Sequence, residues 1–162
     1  MSAPDWLPEL IKFSDYAGDW KRYIEAVFAI FYRDFIESQP KFKNLWVRCR
    51  RDPMFDGKEA GFWHCISDGP DENNRIPDLR RCERIGWIRT IIENCCKINV
   101  RIWRLRKNSD NRVYLWLNQE YLVVLGDRVR YVQLITAFCT DKKHTIAKLE
   151  KEYREHQDSI NS

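Results

Sequence analysis

The C-terminal half of the chain contains four consecutive segments with the composition and spacing of β-strands. Each segment is rich in β-branched and aromatic residues, and short turn-forming stretches such as 118–120 separate one from the next. Connections this short join neighbouring antiparallel strands. The pattern therefore predicts a four-stranded antiparallel meander with strands at residues 98–106, 112–117, 121–126 and 130–139.

Helical patterns flank this meander at both ends of the chain. Within residues 19–38 apolar side chains recur at every third or fourth position, Asp19 is a suitable N-cap, and Pro40 follows as a stop. A charged segment at 142–156 also carries apolar residues at helical spacing. We expect a long N-terminal helix and a closing helix packed at the edge of the sheet.

The middle of the chain predicts short elements. Residues 41–51 indicate a short basic strand, and residues 61–67 a second strand with His64 on one face. Residues 68–74 form an acidic Gly-, Pro- and Asn-containing loop, which either covers a site or is merely solvated. A helix is expected from residue 77 to about residue 94, with Pro77 and Asp78 in its first turn.

These elements predict one α+β domain over residues 1–162. N-terminal helices pack on a mainly antiparallel sheet of about four strands, with extra short strands and a C-terminal helix. The expected subdivision is a helical part, then basic strands with a loop and a helix, then the meander with its closing helix, at residues 1–40, 41–97 and 98–156.

Positive charge is concentrated in one stretch of the chain. Residues 75–106 contain nine Arg and Lys against three acids, whereas residues 1–40 contain four basic and seven acidic residues. Five of the arginines lie at or near the start of the predicted helix at 77–94. Such sorting is typical of a phosphate-binding surface, although a solvated helix face has the same composition.

Cysteine usage and hydropathy bear on compartment and cofactors. The six cysteines include no Cys-x-x-Cys pair, which favours reduced thiols in the cytoplasm. The alternative is a zinc site that uses His64, Cys65, Cys82 and Cys95. No apolar run approaches the ~20 residues of a membrane span, and no signal peptide is recognisable. No Gly-rich phosphate loop, catalytic-triad order or paired-carboxylate signature occurs, and we expect no cofactor.

The remaining candidates for chemistry are one histidine, an arginine cluster and two late hydroxyl groups. They suit cleavage of a phosphodiester by internal attack of the 2′-hydroxyl, which needs a proton acceptor, a cation for the phosphorane and a proton donor. His64 is the candidate acid or base, Arg80, Arg81 and Arg84 are candidate phosphate ligands, and Tyr131 and Thr136 are candidate hydroxyl donors. A histidine between Trp63 and Cys65 is also a common packed residue.

Residues 63–67, 75–87, 121–125 and 131–138 together resemble the phage-associated nuclease domains of the barnase, EndoU, colicin D and RelE-like superfamily. The likeness covers about residues 43–155. It implies N-terminal helices before a four-stranded antiparallel sheet, and a metal-independent ribonuclease of toxin type. It also implies RNA as substrate, an antitoxin or immunity protein as partner, and working roles for His64, an arginine within residues 80–84, and Thr136.

We further expect the substrate to be held by arginines and by aromatic rings on the sheet. The candidate binding residues are Arg75, Arg81, Arg101, Arg104, Trp103 and Trp116. Two other functions are open. The first is a non-catalytic nucleic-acid-binding module that uses the same arginines for phosphates and Trp103, Tyr114 or Trp116 for stacking. The second is an interaction protein of a phage or mobile element whose arginines contact an acidic partner. None of these hypotheses involves a membrane.

Overall fold

The structure is a computed structural model and describes residues 3–69 and 75–157. A short 3₁₀ turn at Phe13–Tyr16 precedes the first helix, which continues as a π-helical segment at Tyr32–Glu37. The α-helices are α1 Trp20–Phe31, α2 Ala60–Ile66, α3 Leu79–Glu83, α4 Trp87–Glu93 and α5 Lys143–His156. The strands are β1 Lys41–Phe42, β2 Leu45–Cys49, β3 Ser67–Asp68, β4 Ile76–Pro77, β5 Val100–Lys107, β6 Asp110–Leu117, β7 Tyr121–Asp127 and β8 Val132–Cys139.

The architecture is α+β, and the predicted meander is present as β5 to β8. The sheet is larger than expected, because β1 and β2 extend it to six strands in the order β1-β2-β8-β7-β6-β5. Its other pairings are antiparallel, in line with the expected mainly antiparallel sheet, but β2 runs parallel to β8 with Val47 opposite Val132, so the sheet is mixed. A separate two-stranded sheet pairs β3 with β4.

Both faces of the central strands are buried. One face packs on the main core, to which α1 contributes Tyr23, Val27 and Phe31. The opposite face carries a second apolar layer, a cluster that contains Trp103 and Leu149 of α5, and the Tyr153 ring of α5 lies 5.8 Å from the Trp103 ring. The closing helix is therefore confirmed, but it covers a face of the sheet beside β5 instead of only flanking the edge.

The N-terminal helix forms as its pattern predicts. The Asp19 side chain accepts a hydrogen bond from the backbone N–H of Arg22, which satisfies one of the free donors at the helix start.

Among the described residues, no helix is both long enough and apolar enough to cross a membrane.

Two predictions for the middle of the chain are wrong. Residues 61–67 form helix α2 and one residue of β3, not a strand. Phe62, Cys65 and Ile66 are all buried in the main core, and this spacing is helical. The helix expected at residues 77–94 is divided into α3 and α4, and Asp78 is the N-cap of α3 rather than part of its first turn.

The edge of β8 positions α2. β2 pairs with β8 only as far as Leu134, and α2 packs along the remainder of the strand. The start of α2 also lies close to the backbone that follows β2. A glycine fits there, because a Cβ on Gly61 would lie 3.0 Å from the carbonyl oxygen of Arg50. The backbone N–H of Gly61 donates to that same oxygen at 2.7 Å.

The second apolar layer predicts a large stability effect at Trp103. Its ring is fully buried and stacks on Tyr114 at 5.2 Å. Trp103→Ala is expected to lower the free energy of unfolding by roughly 3–5 kcal/mol, because it leaves a cavity beneath α5. Urea denaturation followed by circular dichroism measures this change.

The matched control is Ile98→Ala, since Ile98 is 98% exposed. It should change the free energy of unfolding by no more than about 0.5 kcal/mol. Equal effects of the two substitutions would contradict the assignment of Trp103 to a packed layer.

Candidate functional site

A cleft of about 680 Å³ opens where α2, α3, the second half of β8 and the start of α5 meet. Its walls come from four separate parts of the chain, and they combine basic, acidic, hydroxyl and imidazole groups. The lining residues are His64, Asp68, Gly69, Arg75, Asp78, Arg80, Arg81, Ile135, Thr136, Phe138, Cys139, Asp141, Lys142 and Thr145. Of the site residues predicted from sequence, the structure thus brings together one histidine, three arginines and one threonine.

A β-bulge in β8 lies at the cleft. Leu134 lies opposite Leu125 and Thr136 lies opposite Val124, so that Ile135 is an extra residue on β8. Bulges of this kind re-aim the side chains beside them. As a result both Ile135 and Thr136 line the cleft.

Thr136 connects β8 to the helix that carries His64. The Thr136 hydroxyl donates a hydrogen bond of 2.7 Å to the main-chain carbonyl of His64. The proton of this hydroxyl is therefore engaged within the protein, and Thr136 is better placed to hold the last turn of α2 than to donate to a substrate. The His64 side chain is half-buried in the cleft wall.

Arg75 and Arg81 stabilise the backbone that follows α2. Arg75 donates to the carbonyls of Ser67 and Gly69 at 2.8 and 2.9 Å, and to the Ser67 hydroxyl at 3.1 Å. Arg81 donates to the Ser67 carbonyl at 2.7 Å, and its guanidinium lies 5.4 Å from the Phe138 ring centroid. Arg75 thus uses all three of its guanidinium nitrogens to hold the cleft wall. Arg81 holds it through Nη1, while its buried Nε has no hydrogen-bond partner in the described part of the chain.

Arg80 is the most exposed of the three cleft arginines. Its Nη1 donates to Asp141 Oδ2 at 2.6 Å, and the two side chains are 49% and 57% exposed. This hydrogen bond lowers the pKa of Asp141 and raises the pKa of Arg80. Exposed ion pairs are held weakly in water, so an incoming anion can replace the carboxylate on Arg80.

Six other predicted residues lie outside the cleft lining, namely Trp103, Trp116, Tyr131, Arg84, Arg101 and Arg104. Arg84 lies with its guanidinium 5.1 Å from the Trp87 ring centroid. Tyr131 precedes β8, and its ring centroid lies 4.5 Å from the guanidinium of Arg48. Arg101 forms an ion pair with Glu150, and Arg104 forms one with Asp127. Both arginines lie on β5, which is three strands, or about 14 Å, away from β8.

The expectation that Trp103 and Trp116 stack on bases is wrong for this structure. Both side chains are 0% exposed. Trp103 stacks on Tyr114, and the Trp116 indole N–H donates to the Thr140 hydroxyl at 2.9 Å. Neither ring offers a face to solvent, because α5 and the neighbouring strands cover them.

The cysteines are free thiols, as expected. Cys139 lines the cleft, but burial raises the pKa of its thiol, which stays protonated at neutral pH and is a poor nucleophile. Within residues 3–69 and 75–157 no three His, Cys, Asp or Glu side chains form a group that can hold a metal ion. The alternative zinc site therefore lacks a ligand cluster there.

The sequence interpretation missed the part of the cleft that comes from the start of α5. Asp141 and Lys142 line the cleft beside Arg80, although 61 residues separate Arg80 from Asp141. The acidic loop at residues 68–74 is one of the predicted elements that could cover the site. Its first residues, Asp68 and Gly69, do line the cleft, and 70–74 lie outside the described residues.

The hydrogen bonds of Arg75 predict a structural role that can be measured. Arg75→Met keeps the aliphatic stem but removes three hydrogen bonds to Ser67 and Gly69. We expect the free energy of unfolding to fall by roughly 1–3 kcal/mol. Amide hydrogen exchange should become faster across residues 66–69, where the wall loses its support.

Arg22→Met is the control for this variant, because Arg22 is exposed on α1 and distant in sequence from the cleft wall. Its effect on stability should stay within about 0.5 kcal/mol. Unchanged exchange in Arg75→Met would show that the carbonyls do not depend on Arg75.

The chain was compared with protein-family models, curated proteins and solved structures, and none of them matches. What the protein does is therefore inferred from the side chains of the cleft and their contacts.

Proposed function

We propose that the cleft binds the phosphodiester backbone of RNA and cleaves it by attack of the ribose 2′-hydroxyl. The observation that carries the proposal is the convergence of His64 with Arg75, Arg80 and Arg81 in one cleft. Imidazole and guanidinium are the side chains that phosphodiester transfer uses for proton exchange and for charge stabilisation. The activity is that of a toxin-type endoribonuclease, in line with the sequence resemblance.

The reaction balances without an added reactant. His64 accepts the 2′-hydroxyl proton as the 2′-oxygen attacks phosphorus. The bond from phosphorus to the 5′-oxygen then breaks, the departing oxygen takes that proton from the His64 imidazolium, and a 2′,3′-cyclic phosphate remains. Imidazole can exchange protons in both directions near neutral pH, so one side chain can serve at either stage.

Arg80 is the cation best placed to meet the phosphate. Its partner Asp141 is exposed, whereas Arg75 and Arg81 already donate to the Ser67 carbonyl. A phosphate that replaces Asp141 gains a charge-assisted hydrogen bond and can use the remaining donors of the fork. Arg75 and Arg81 add positive charge from fixed positions, which stabilises charge as it develops on the phosphorane.

Loss of His64 tests the chemistry. His64→Ala is expected to slow RNA cleavage by about 10²- to 10⁴-fold, because a positioned acid or base contributes on that order. Cleavage of a fluorogenic RNA in the presence of a chelator measures the rate. Mass spectrometry of the products should find a 2′,3′-cyclic phosphate end. Growth inhibition on expression should fall in parallel.

His156→Ala provides a matched control, since His156 lies near the opposite end of α5 and lines a different depression with Arg104 and Asp127. It should cleave at the wild-type rate. A fully active His64→Ala protein with a normal thermal transition would remove His64 from the mechanism.

Thr136 is expected to act through the position of His64. Thr136→Val removes the hydrogen bond to the His64 carbonyl and should lower kcat with little effect on KM, whereas Thr136→Ser should restore most of the activity. Steady-state kinetics on the same RNA separates the two parameters. Equal loss in the Val and Ser variants would exclude a role for this hydrogen bond.

The engaged arginines also favour a second candidate, a module that binds nucleic acid without cutting it. Two of the three cleft arginines hold the wall, and Arg80 has a carboxylate partner. Wild-type protein that binds RNA in a salt-sensitive manner but leaves it intact would indicate this function. Absence of both binding and cleavage would favour an interaction protein with an acidic partner.

A further inference from the structure

A basic and aromatic surface lies outside the cleft, at the β1–β2 end of the sheet. We call it the β2 surface and define it by the side chains of Lys41, Trp46, Arg48, Tyr131 and Gln133. The first three are exposed, and Trp46 is 48% exposed although it is a large apolar side chain. The proposed cleavage reaction does not use any of them.

Strand alternation places the centre of this surface on the sheet face opposite the main core. Val47 of β2 is buried in the main core, so its neighbours Trp46 and Arg48 point to the other face. On β8 Val132 and Leu134 are buried in the same core, and Gln133 between them lies opposite Arg48. The apolar residues of α5 cover this face only around β5 to β7.

The rings and cations of the β2 surface are paired with one another. The Lys41 ammonium lies 4.5 Å from the Trp46 ring centroid, and the Arg48 guanidinium lies 4.5 Å from that of Tyr131. Aromatic rings and guanidinium planes are the groups on which unpaired bases stack. Trp46 and Arg48 are two residues apart on one strand, about 7 Å.

The charge of the surface has one sign. Residues 38–51 contain five basic residues and no acidic residue. In the described part of the chain, no carboxylate lies within salt-bridge distance of Lys41 or Arg48. The surface is thus complementary to a polyanion that also carries flat rings, which describes a single-stranded nucleic acid better than a duplex or an acidic peptide.

β8 connects this surface to the cleft. Gln133 lies beside Arg48, and Thr136 three residues later lines the cleft, a separation of about 10 Å along the strand. We propose that the β2 surface binds the unpaired nucleotides of a single-stranded RNA, whose backbone follows β8 into the cleft. The choice of RNA rests on the proposed function, whereas the preference for an unpaired polyanion rests on the surface itself.

Binding is tested with a probe that the cleft cannot cut. The probe is a fluorescein-labelled 2′-O-methyl oligouridylate of about twelve nucleotides, which lacks the attacking hydroxyl and lies within the usual range of about 4–16 nucleotides for a single-strand site. Fluorescence anisotropy measures Kd over a series of salt concentrations. Trp46→Ala should weaken binding roughly tenfold. Arg48→Ala should reduce the slope of log K against log salt by about 0.7.

Two variants on the opposite side of the molecule serve as matched controls. Trp20 is 40% exposed and Arg22 is exposed, both on α1. Trp20→Ala and Arg22→Ala should bind the probe as the wild type does. Thermal unfolding verifies that all four variants are folded, and Arg48→Glu, which reverses the charge, should weaken binding more than Arg48→Ala.

Two competitors define the ligand class. A blunt RNA duplex and polyglutamate, which carries charge but no bases, should each compete poorly with the probe. The proposal is overturned if Trp46→Ala and Arg48→Ala bind the probe like the controls. It is also overturned if either competitor binds as tightly as the probe and with the same dependence on Trp46.

These outcomes separate the binding surface from the cleavage reaction. If unmodified RNA is cut in a His64-dependent manner while the β2 variants bind normally, the surface assignment fails and the proposed function stands. If RNA stays intact while binding depends on Trp46 and Arg48, the proposed reaction fails and the surface assignment stands.

Discussion

One edge of β8 pairs with β2 along its first half and packs against α2 along its second half, and the cleft forms beside the second half. From Val132 to Leu134 the edge pairs with β2, and beyond that point α2 packs along it. The Thr136 side chain links the two elements, because its hydroxyl donates a hydrogen bond to the His64 carbonyl in the last turn of α2. The edge that α2 covers is therefore also the wall that carries His64.

The larger elements could be predicted because local pattern and tertiary environment agree in them. β5 to β8 combine strand-forming residues with short turns, and Asp19 caps α1 as its position indicates. Residues 61–67 could not be assigned in this way, because a short apolar run fits either a strand or a helix. Burial of both Phe62 and Ile66 with Cys65 is compatible with a helix, and only the packing against β8 decides between them.

The two tryptophans show why exposure is harder to predict than secondary structure. The predicted strands β6 and β7 contain nearly continuous apolar runs, which is the pattern of a sheet covered on both faces. Coverage of both faces accounts for the complete burial of Trp116. Trp103 is less obvious, because β5 alternates with arginines, and its burial follows from the position of α5.

The cleft could be predicted only in part, because some of its residues meet through long-range contacts. Arg75, Arg80 and Arg81 are close in sequence, so their proximity was expected, and the structure adds His64 and Thr136 to them. Asp141 meets Arg80 across 61 residues, and the bulge at Ile135 depends on the register of β7 against β8. Neither long-range pairing nor register at a bulge leaves a local signal in the sequence.

The distribution of charge suggests that the β2 surface and the cleft contribute differently to RNA binding and cleavage. The cleft lining contains four basic and three acidic residues, so its long-range attraction for a polyanion is weak. Residues 38–51 contain five basic residues and no acids, and they provide the stronger attraction. In the proposed arrangement the β2 surface supplies most of the affinity for RNA. The arginines of the cleft then act at short range, where a fixed guanidinium discriminates between the ground state and the more highly charged phosphorane.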